Sequence, residues 1–227
     1  MMDMEITWKW KVTAPLHIGS GLSRAGFADR CVRVEKGHAV IPSEAVKGAF
    51  RGTSEQLARW LGATEKETEE ASLPKIPVLR RIFAPTEDRR FYRFRGCISE
   101  EKVKAYTLTS TKIDPRTRVA LDNTLRTIEL LPRGATFPGR IQLLAGEWDD
   151  NAKCDSQDLL FLLAAIASTE GIGGKKGSGL GRLQCLDLYA NGQRYKDVLA
   201  KLEVIQSLRK LVKEGCKDAD PKSAVDA

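Results

Sequence analysis

At 227 residues, with 42% hydrophobic and 30% charged side chains, the chain is balanced like an ordinary soluble protein and long enough to bury a real core. Thirty-seven Lys and Arg against thirty Asp and Glu leave a net charge of +7, while the odd set Cys31, Cys97, Cys154, Cys185 and Cys216 forms no C-x-x-C pair and signals neither a zinc site nor a disulfide framework. No apolar run reaches the roughly 18 residues of a membrane span and no secretory h-region is present, so a soluble, cytoplasmic protein with no membrane partner is expected.

The opening ITWKWKVTA alternates Ile6, Trp8, Trp10 and Val12 with Thr7, Lys9, Lys11 and Thr13, a period of two that predicts a strand with one buried and one basic face. Gly19 and Gly21 end it in LHIGSG. Cys31 to Glu35 and His38 to Ile41 predict a short hairpin turning at Lys36-Gly37. After Pro42, Ser43 is the expected N-cap of a helix to about Leu61, stopped by Gly62, with Val46, Phe50, Leu57, Trp60 and Leu61 as its apolar stripe. On that helix Ser43, Lys47 and Arg51 stand four apart on one face, and Gly48 and Gly52 are also four apart. A glycine inside a helix costs on the order of 1 kcal/mol, so two imply that something approaches closely. Either a nucleic-acid backbone meets Lys47, Arg51 and the helix N-terminus, or the helix packs tightly on a sheet with a solvated basic edge. The sequence leaves both open.

Residues 63 to 90 are polar, charged and interrupted by proline, and are expected to leave the core. Acids gather at Glu65, Glu67, Glu69 and Glu70. Arg80, Arg81, Arg89, Arg90, Arg93 and Arg95, then Lys102, Lys104, Lys112, Arg116 and Arg118, form a segregated basic zone that favours a polyanion partner. Phe91 to Ser99 and Val103 to Ser110 have strand composition, and residues 111 to 134 predict a protruding hairpin or loop. Thr136 to Ala145 reads as a strand. Asp155 or Ser156 caps the apolar helix LLFLLAAIA, Gly181 to Tyr189 is a strand, and Val198, Leu202, Ile205, Leu208 and Val212 make a last amphipathic helix before a disordered tail at 216–227.

The order strand, helix, strands, helix, strand is the split β-α-β pattern of an α+β, ferredoxin-like fold, which RNA-recognition domains share. One domain over 1–215 is expected. Its core covers 1–62 and 91–190, with a polar insertion at 63–90, a protruding segment at 111–134 and a C-terminal helix at 195–214.

GIGGKKGSGLGR, from Gly171 to Arg182, places six glycines and two adjacent lysines between a helix and a strand. Such density implies unusual dihedrals or a closely approaching backbone. N–H groups of Gly173, Gly174 and Gly177 beside Lys175 and Lys176 fit an anion cradle for phosphate, and a flexible loop is the alternative. The Walker A spacing and the G-x-G-x-x-G fingerprint are both missing.

LHIGSG, IPSEAVKGAFR, LPRGATFPGRI and GIGGKKGSGLGR, in that order over residues 16 to 182, resemble the RAMP superfamily of CRISPR-associated proteins. IPSEAVKGAFR is similar to the family's IPGSSLKGALR and departs from it at Glu44. The layout is most similar to the backbone subunit of type III effector complexes, several copies of which line up along a guide RNA. The resemblance implies guide RNA, complementary target RNA and other copies of itself as partners, with no nucleotide or organic cofactor. GFADRCVRVE stands where target-cleaving backbone subunits carry a pattern like GGIDNPVIRD, which puts Asp29 on the catalytic aspartate, although Phe27, Arg30 and Cys31 depart from the pattern. There Asp29 would hold a divalent cation such as Mg or position a ribose 2′-hydroxyl for in-line attack. Taken alone, an aspartate between Arg24 and Arg30 is a surface ion pair.

KIDPRTRVALDNTLRTIELLPRGATF resembles the family's thumb-like hairpin, which wedges between bases in relatives. The resemblance implies that Lys112, Arg116, Arg118 and Arg126 meet phosphates while Val119, Ala120 and Leu121 press on a displaced base; an unstructured basic loop is the alternative. His17 is either a strand-end structural residue or the general base of a guide-processing endonuclease. The RNA surface is expected where the Lys175/Lys176 turn and the Ser43 helix converge.

Overall fold

In the computed structural model, which describes residues 4–23, 25, 27–63, 76–83, 92–143, 156–195 and 202–217, the alternation of the opening strand sets the whole core. β1 (Met4–Val12) buries Ile6, Trp8, Trp10 and Val12 and leaves Lys11 exposed. It lies between β8 (Thr136–Leu143) and β9 (Leu183–Ala190), antiparallel to both. β4 (Tyr92–Phe94) pairs with the far edge of β8 and β10 (Gln193–Arg194) with that of β9, giving the order β10-β9-β1-β8-β4. Strand β8 therefore separates β1 from β4, and β1 separates β8 from β9. This interleaving, with one helix crossing in each half, is the ferredoxin-like α+β arrangement.

The crossing helices are α1 (Ser43–Leu61) and α3 (Ser156–Ala167). Phe50 of α1 meets Trp8 edge-on at 5.0 Å and Trp10 at 5.2 Å between ring centroids. Phe161, Leu162, Leu163 and Ile166 of α3 are fully buried. Helix α4 (Leu202–Lys217) covers α1 and α3 with Leu208 and Val212 inward and Ile205 mostly outward. The segment 196–201, with Val198, and the tail beyond 217 lie outside the described residues.

Several details differ from the sequence reading. Pro42, in extended backbone, is the N-cap of α1, and Ser43 is its first helical residue with no side-chain cap bond. The buried stripe of α1 runs Val46, Phe50, Ser54, Ala58, Leu61, so Trp60 falls off the face and is 68% exposed. Part of 63–90 belongs to the core: α2 (Pro77–Phe83) buries Val78, Leu79, Ile82 and Phe83 against α1, α3 and α4. Its Arg81 donates two 2.6 Å hydrogen bonds to the buried Asp158 carboxylate, which removes that side chain from the free basic zone. Residues 64–75 and 84–91 lie outside the described residues.

The expected strand 91–99 breaks at Arg95-Gly96, where a Cβ on Gly96 would sit 2.8 Å from the Ile41 carbonyl. Beyond the corner, β5 (Cys97–Lys102) joins β2 (Val34–Glu35) and β3 (His38–Ile41) in a second, three-stranded sheet. Glu100 of β5 bridges back to the main sheet through Lys9 at 2.6 Å and Thr136 at 2.7 Å.

Candidate RNA interface

β6 (Tyr106–Ser110) and β7 (Arg126–Leu130) pair with each other as a two-stranded sheet and form the base of the hairpin expected at 111–134. Its tip has fixed hydrogen bonds. Asp114 N–H bonds Val119 O at 2.9 Å, Leu121 N–H bonds Lys112 O at 2.9 Å, and the Asp114 side chain accepts Arg116 N–H at 2.8 Å. The Ile113–Ala120 bridge and the Thr111–Thr124 hydroxyl pair continue the ladder. This excludes the unstructured alternative. Lys112, Arg116, Arg118 and Arg126 are exposed along it, as are Ile113, Val119, Leu121 and Leu125. Exposed apolar side chains on a projecting, basic hairpin suit stacking against bases between phosphate contacts.

The root of β7 organises everything beneath it. Asp29 N–H donates to Thr127 O at 2.8 Å, and Thr127 N–H donates to Asp29 Oδ2 at 2.6 Å. Two residues on, Glu129 N–H bonds Arg30 O at 2.9 Å, and its buried carboxylate accepts Val32 N–H at 3.0 Å. The Glu129 carbonyl then receives His17 Nδ1–H at 2.8 Å. Loop 29–32 and the segment around His17, five residues beyond the end of β1, are thereby fastened to the hairpin. Asp29 itself remains exposed, and its Oδ2 accepts the Thr127 N–H; Arg24, one of the two cations of the ion-pair alternative, lies outside the described residues.

The glycine loop docks on the other side of His17. Gly174 N–H donates to His17 O at 3.1 Å, Gly181 N–H to Pro15 O at 2.8 Å, and Ile172 N–H to Gly181 O at 2.9 Å. Gly173 and Gly181 have φ of +83° and +74°, and a Cβ at either would lie 2.2 Å from a backbone oxygen, of His17 and Ile172 respectively. Two of the six glycines thus serve close packing of the chain on itself, and Gly174 turns its N–H inward. The exposed turn that follows holds Lys175 in a left-handed conformation with Lys176–Ser178 as a 3-10 turn. Among the described residues, the N–H groups of Lys175, Lys176 and Gly177 have no backbone acceptor. Those three N–H groups and two ammonium groups are what remains of the expected cradle.

A cleft of about 470 Å³ opens between loop and hairpin root, lined by His17, Gly19, Leu22, Asp29, Arg30 and Gly174 among others. A second, about 270 Å³, lies against Asp29 between Phe27, Ala28, Leu125 and Thr127. Asp29 therefore stands on a wall common to two clefts.

Ser43, Lys47 and Arg51 line neither cleft. Lys47 lies over the Phe94 ring at 5.9 Å, and Arg51 pairs with Glu55 at 2.8 Å. The tie between α1 and the glycine loop is the 3.1 Å Thr169–Thr53 hydroxyl bond, just ahead of Gly171. Arg51 is two residues from that tie, whereas Ser43 is about 15 Å away along the axis at 1.5 Å per residue. Direct convergence of the Lys175/Lys176 turn with the N-terminus of α1 gives way to an extended surface. Gly48 and Gly52 are exposed, and a Cβ at either would meet nothing within 4 Å, so packing on the sheet does not explain them.

A family model for the RAMP superfamily matches residues 9–184. The chain belongs to the RAMP superfamily. It is accordingly a CRISPR-associated RNA-binding protein, and RAMP proteins characteristically bind CRISPR RNA within multi-subunit complexes. No curated protein matches it. The matched span starts in β1 and ends in β9, so the RAMP domain includes the hairpin, the Asp29 loop and the glycine loop. Among the described residues no helix is long and apolar enough to cross a membrane.

The sequence reading misses Thr127 and Glu129. A clue to the second is the acid inside the apolar run IELL, where a strand buried on both faces admits a carboxylate only with a partner. As a cation site, Asp29 is the one carboxylate among the described residues lining the cleft, and one of its oxygens is engaged. Among the described residues no group of three or more potential ligands gathers. Of this chain's described residues, Asp29 with its second oxygen would be the one to hold a divalent cation here, since a protein-built cage needs more ligands than gather around it.

Proposed function

We propose that this RAMP protein is a cytoplasmic, guide-RNA-binding backbone subunit of a type III CRISPR effector complex, and that it cuts the paired target RNA at Asp29. The observation that carries the proposal is the placement of Asp29 on the rim between the glycine-loop cleft and the root of the hairpin, with its carboxylate aimed by Thr127 N–H. The guide runs over the Lys175–Gly177 turn and along α1 past Arg51, Lys47 and Ser43. The hairpin carries Lys112, Arg116, Arg118 and Arg126 to the duplex. Further copies of the chain, or related subunits, continue the surface.

In the cut, a ribose 2′-oxygen attacks the adjacent phosphorus and the P–O5′ bond breaks. The products are a 2′,3′-cyclic phosphate and a 5′-hydroxyl, and the proton lost by the 2′-hydroxyl balances the one gained by the leaving oxygen. Asp29, fixed at its Oδ2, uses its other oxygen to orient the reacting ribose. A divalent cation bound there would offset the charge developing on the phosphate. The Asp29–Thr127 bond also favours a second reading, in which Asp29 only ties the loop to the hairpin of a non-cleaving assembly subunit. Asp29→Ala separates the two: the cleaving subunit loses metal-dependent target cleavage and keeps guide binding. Undiminished cutting by the variant refutes the catalytic assignment.

A further inference from the structure

His17 presents an unused hydrogen-bonding edge to the cleft. Its Nδ1 lies 2.8 Å from the Glu129 carbonyl oxygen, which can only accept, so Nδ1 carries the proton. In the neutral ring Nε2 is then an acceptor. Among the described residues nothing donates to it, although His17 is only 5% exposed. The ring edge faces two glycines of the cleft wall: a Cβ on Gly19 would come 3.6 Å from Nε2, and one on Gly174 would come 3.6 Å from Cδ2. Absence of both side chains keeps that edge reachable from the cleft.

We propose that His17 Nε2 accepts a hydrogen bond from a ribose 2′-hydroxyl of the strand lying on the glycine loop, so that His17 distinguishes RNA from DNA. The inference rests on the reading of that loop as the guide surface. A neutral Nε2 needs a donor. A phosphate oxygen has no proton to give, whereas the 2′-hydroxyl does, and it is the group that separates RNA from DNA. Deoxyribose in that place would leave Nε2 facing C–H, its lone pair unmatched once the strand has displaced water from the cleft. A protonated ring donating to a phosphate would be blind to the 2′ position, so one measurement separates the two arrangements.

The test is the affinity of the full-length protein for a labelled, guide-length RNA and for a series carrying a single 2′-fluoro substitution at successive positions. Fluorine preserves the ribose pucker and removes the donor. The wild-type protein should lose about three- to ten-fold affinity at one position per bound protomer, the size of one hydrogen bond. His17→Ala should erase that step and leave the rest of the scan unchanged. The same substitutions in a complementary target strand should cost nothing. A flat wild-type scan overturns the inference, whether or not the variant folds. A step that persists in His17→Ala, or that moves to the target strand, also overturns it. In each of those cases guide binding itself survives and the function proposed above stands. Failure to bind guide RNA at all defeats both.

Discussion

The Oδ2 atom of Asp29 and the backbone N–H of Thr127 are joined at 2.6 Å, which makes the candidate catalytic carboxylate an outgrowth of the hairpin's root. Glu129 completes the same clasp by accepting Val32 N–H from within the fold. Glu129→Ala leaves that buried N–H unpaired, at a cost of about 1–3 kcal/mol. Thermal unfolding should register the loss, and target cleavage should fall further than guide affinity because the Asp29 loop loosens. Glu129→Gln keeps an acceptor and should recover most of both. Equal losses in the two variants would show that charge, not loop fastening, is the role of Glu129.

The glycines of the loop divide into two kinds. Gly173→Ala and Gly181→Ala each force a Cβ to within 2.2 Å of a backbone oxygen at positive φ and should destabilise the fold by about 3 kcal/mol or more. Gly177→Ala meets open space and should leave the melting temperature unchanged. Lys175→Glu and Lys176→Glu should also melt like the wild type, yet lose affinity for every guide sequence alike, as removal of phosphate contacts requires. A loss confined to one sequence would contradict this.

Gly48 and Gly52 offer a test in which stability and binding move in opposite directions. With nothing within 4 Å, alanine at either site should stabilise α1 by about 0.5–1 kcal/mol. If an RNA backbone lies along that strip, the same substitutions weaken guide binding. Tighter folding with unchanged affinity would remove α1 from the interface.

At the hairpin tip, Arg116→Glu and Arg118→Glu should each reduce the slope of log affinity against log salt for guide–target duplex by about one. Binding of the unpaired guide should change much less, since the proposed guide path runs over the glycine loop and α1 and the tip is assigned to the duplex. The check is a salt titration with and without target.

The main sheet was legible because Ile6, Trp8, Trp10 and Val12 keep a strict period of two and LLFLLAAIA is apolar throughout. Helix α2 was not. Val78, Leu79, Ile82 and Phe83 do have helical spacing, but Arg80, Arg81 and the surrounding charged residues mask it. Trp60 misled because apolar character alone does not fix the face of a helix; the four-residue steps from Val46 to Ala58 do. The hairpin and the glycine loop announced themselves by composition, and Asp29 only by resemblance to a family pattern. The acid inside IELL hinted that Glu129 has a partner but not which one, because Val32 is 97 residues away and the pairing exists only once β7 has met loop 29–32.

Crosslinking a 4-thiouridine-substituted guide to the full-length protein, with the modified peptides read by mass spectrometry, addresses the central claim most directly. Crosslinks should fall in 17–30 and 174–177, with a further set on α1 around Lys47 and Arg51. Crosslinks confined to β10 and α4, with both clefts unmarked, would contradict an RNA strand lying between the glycine loop and Asp29.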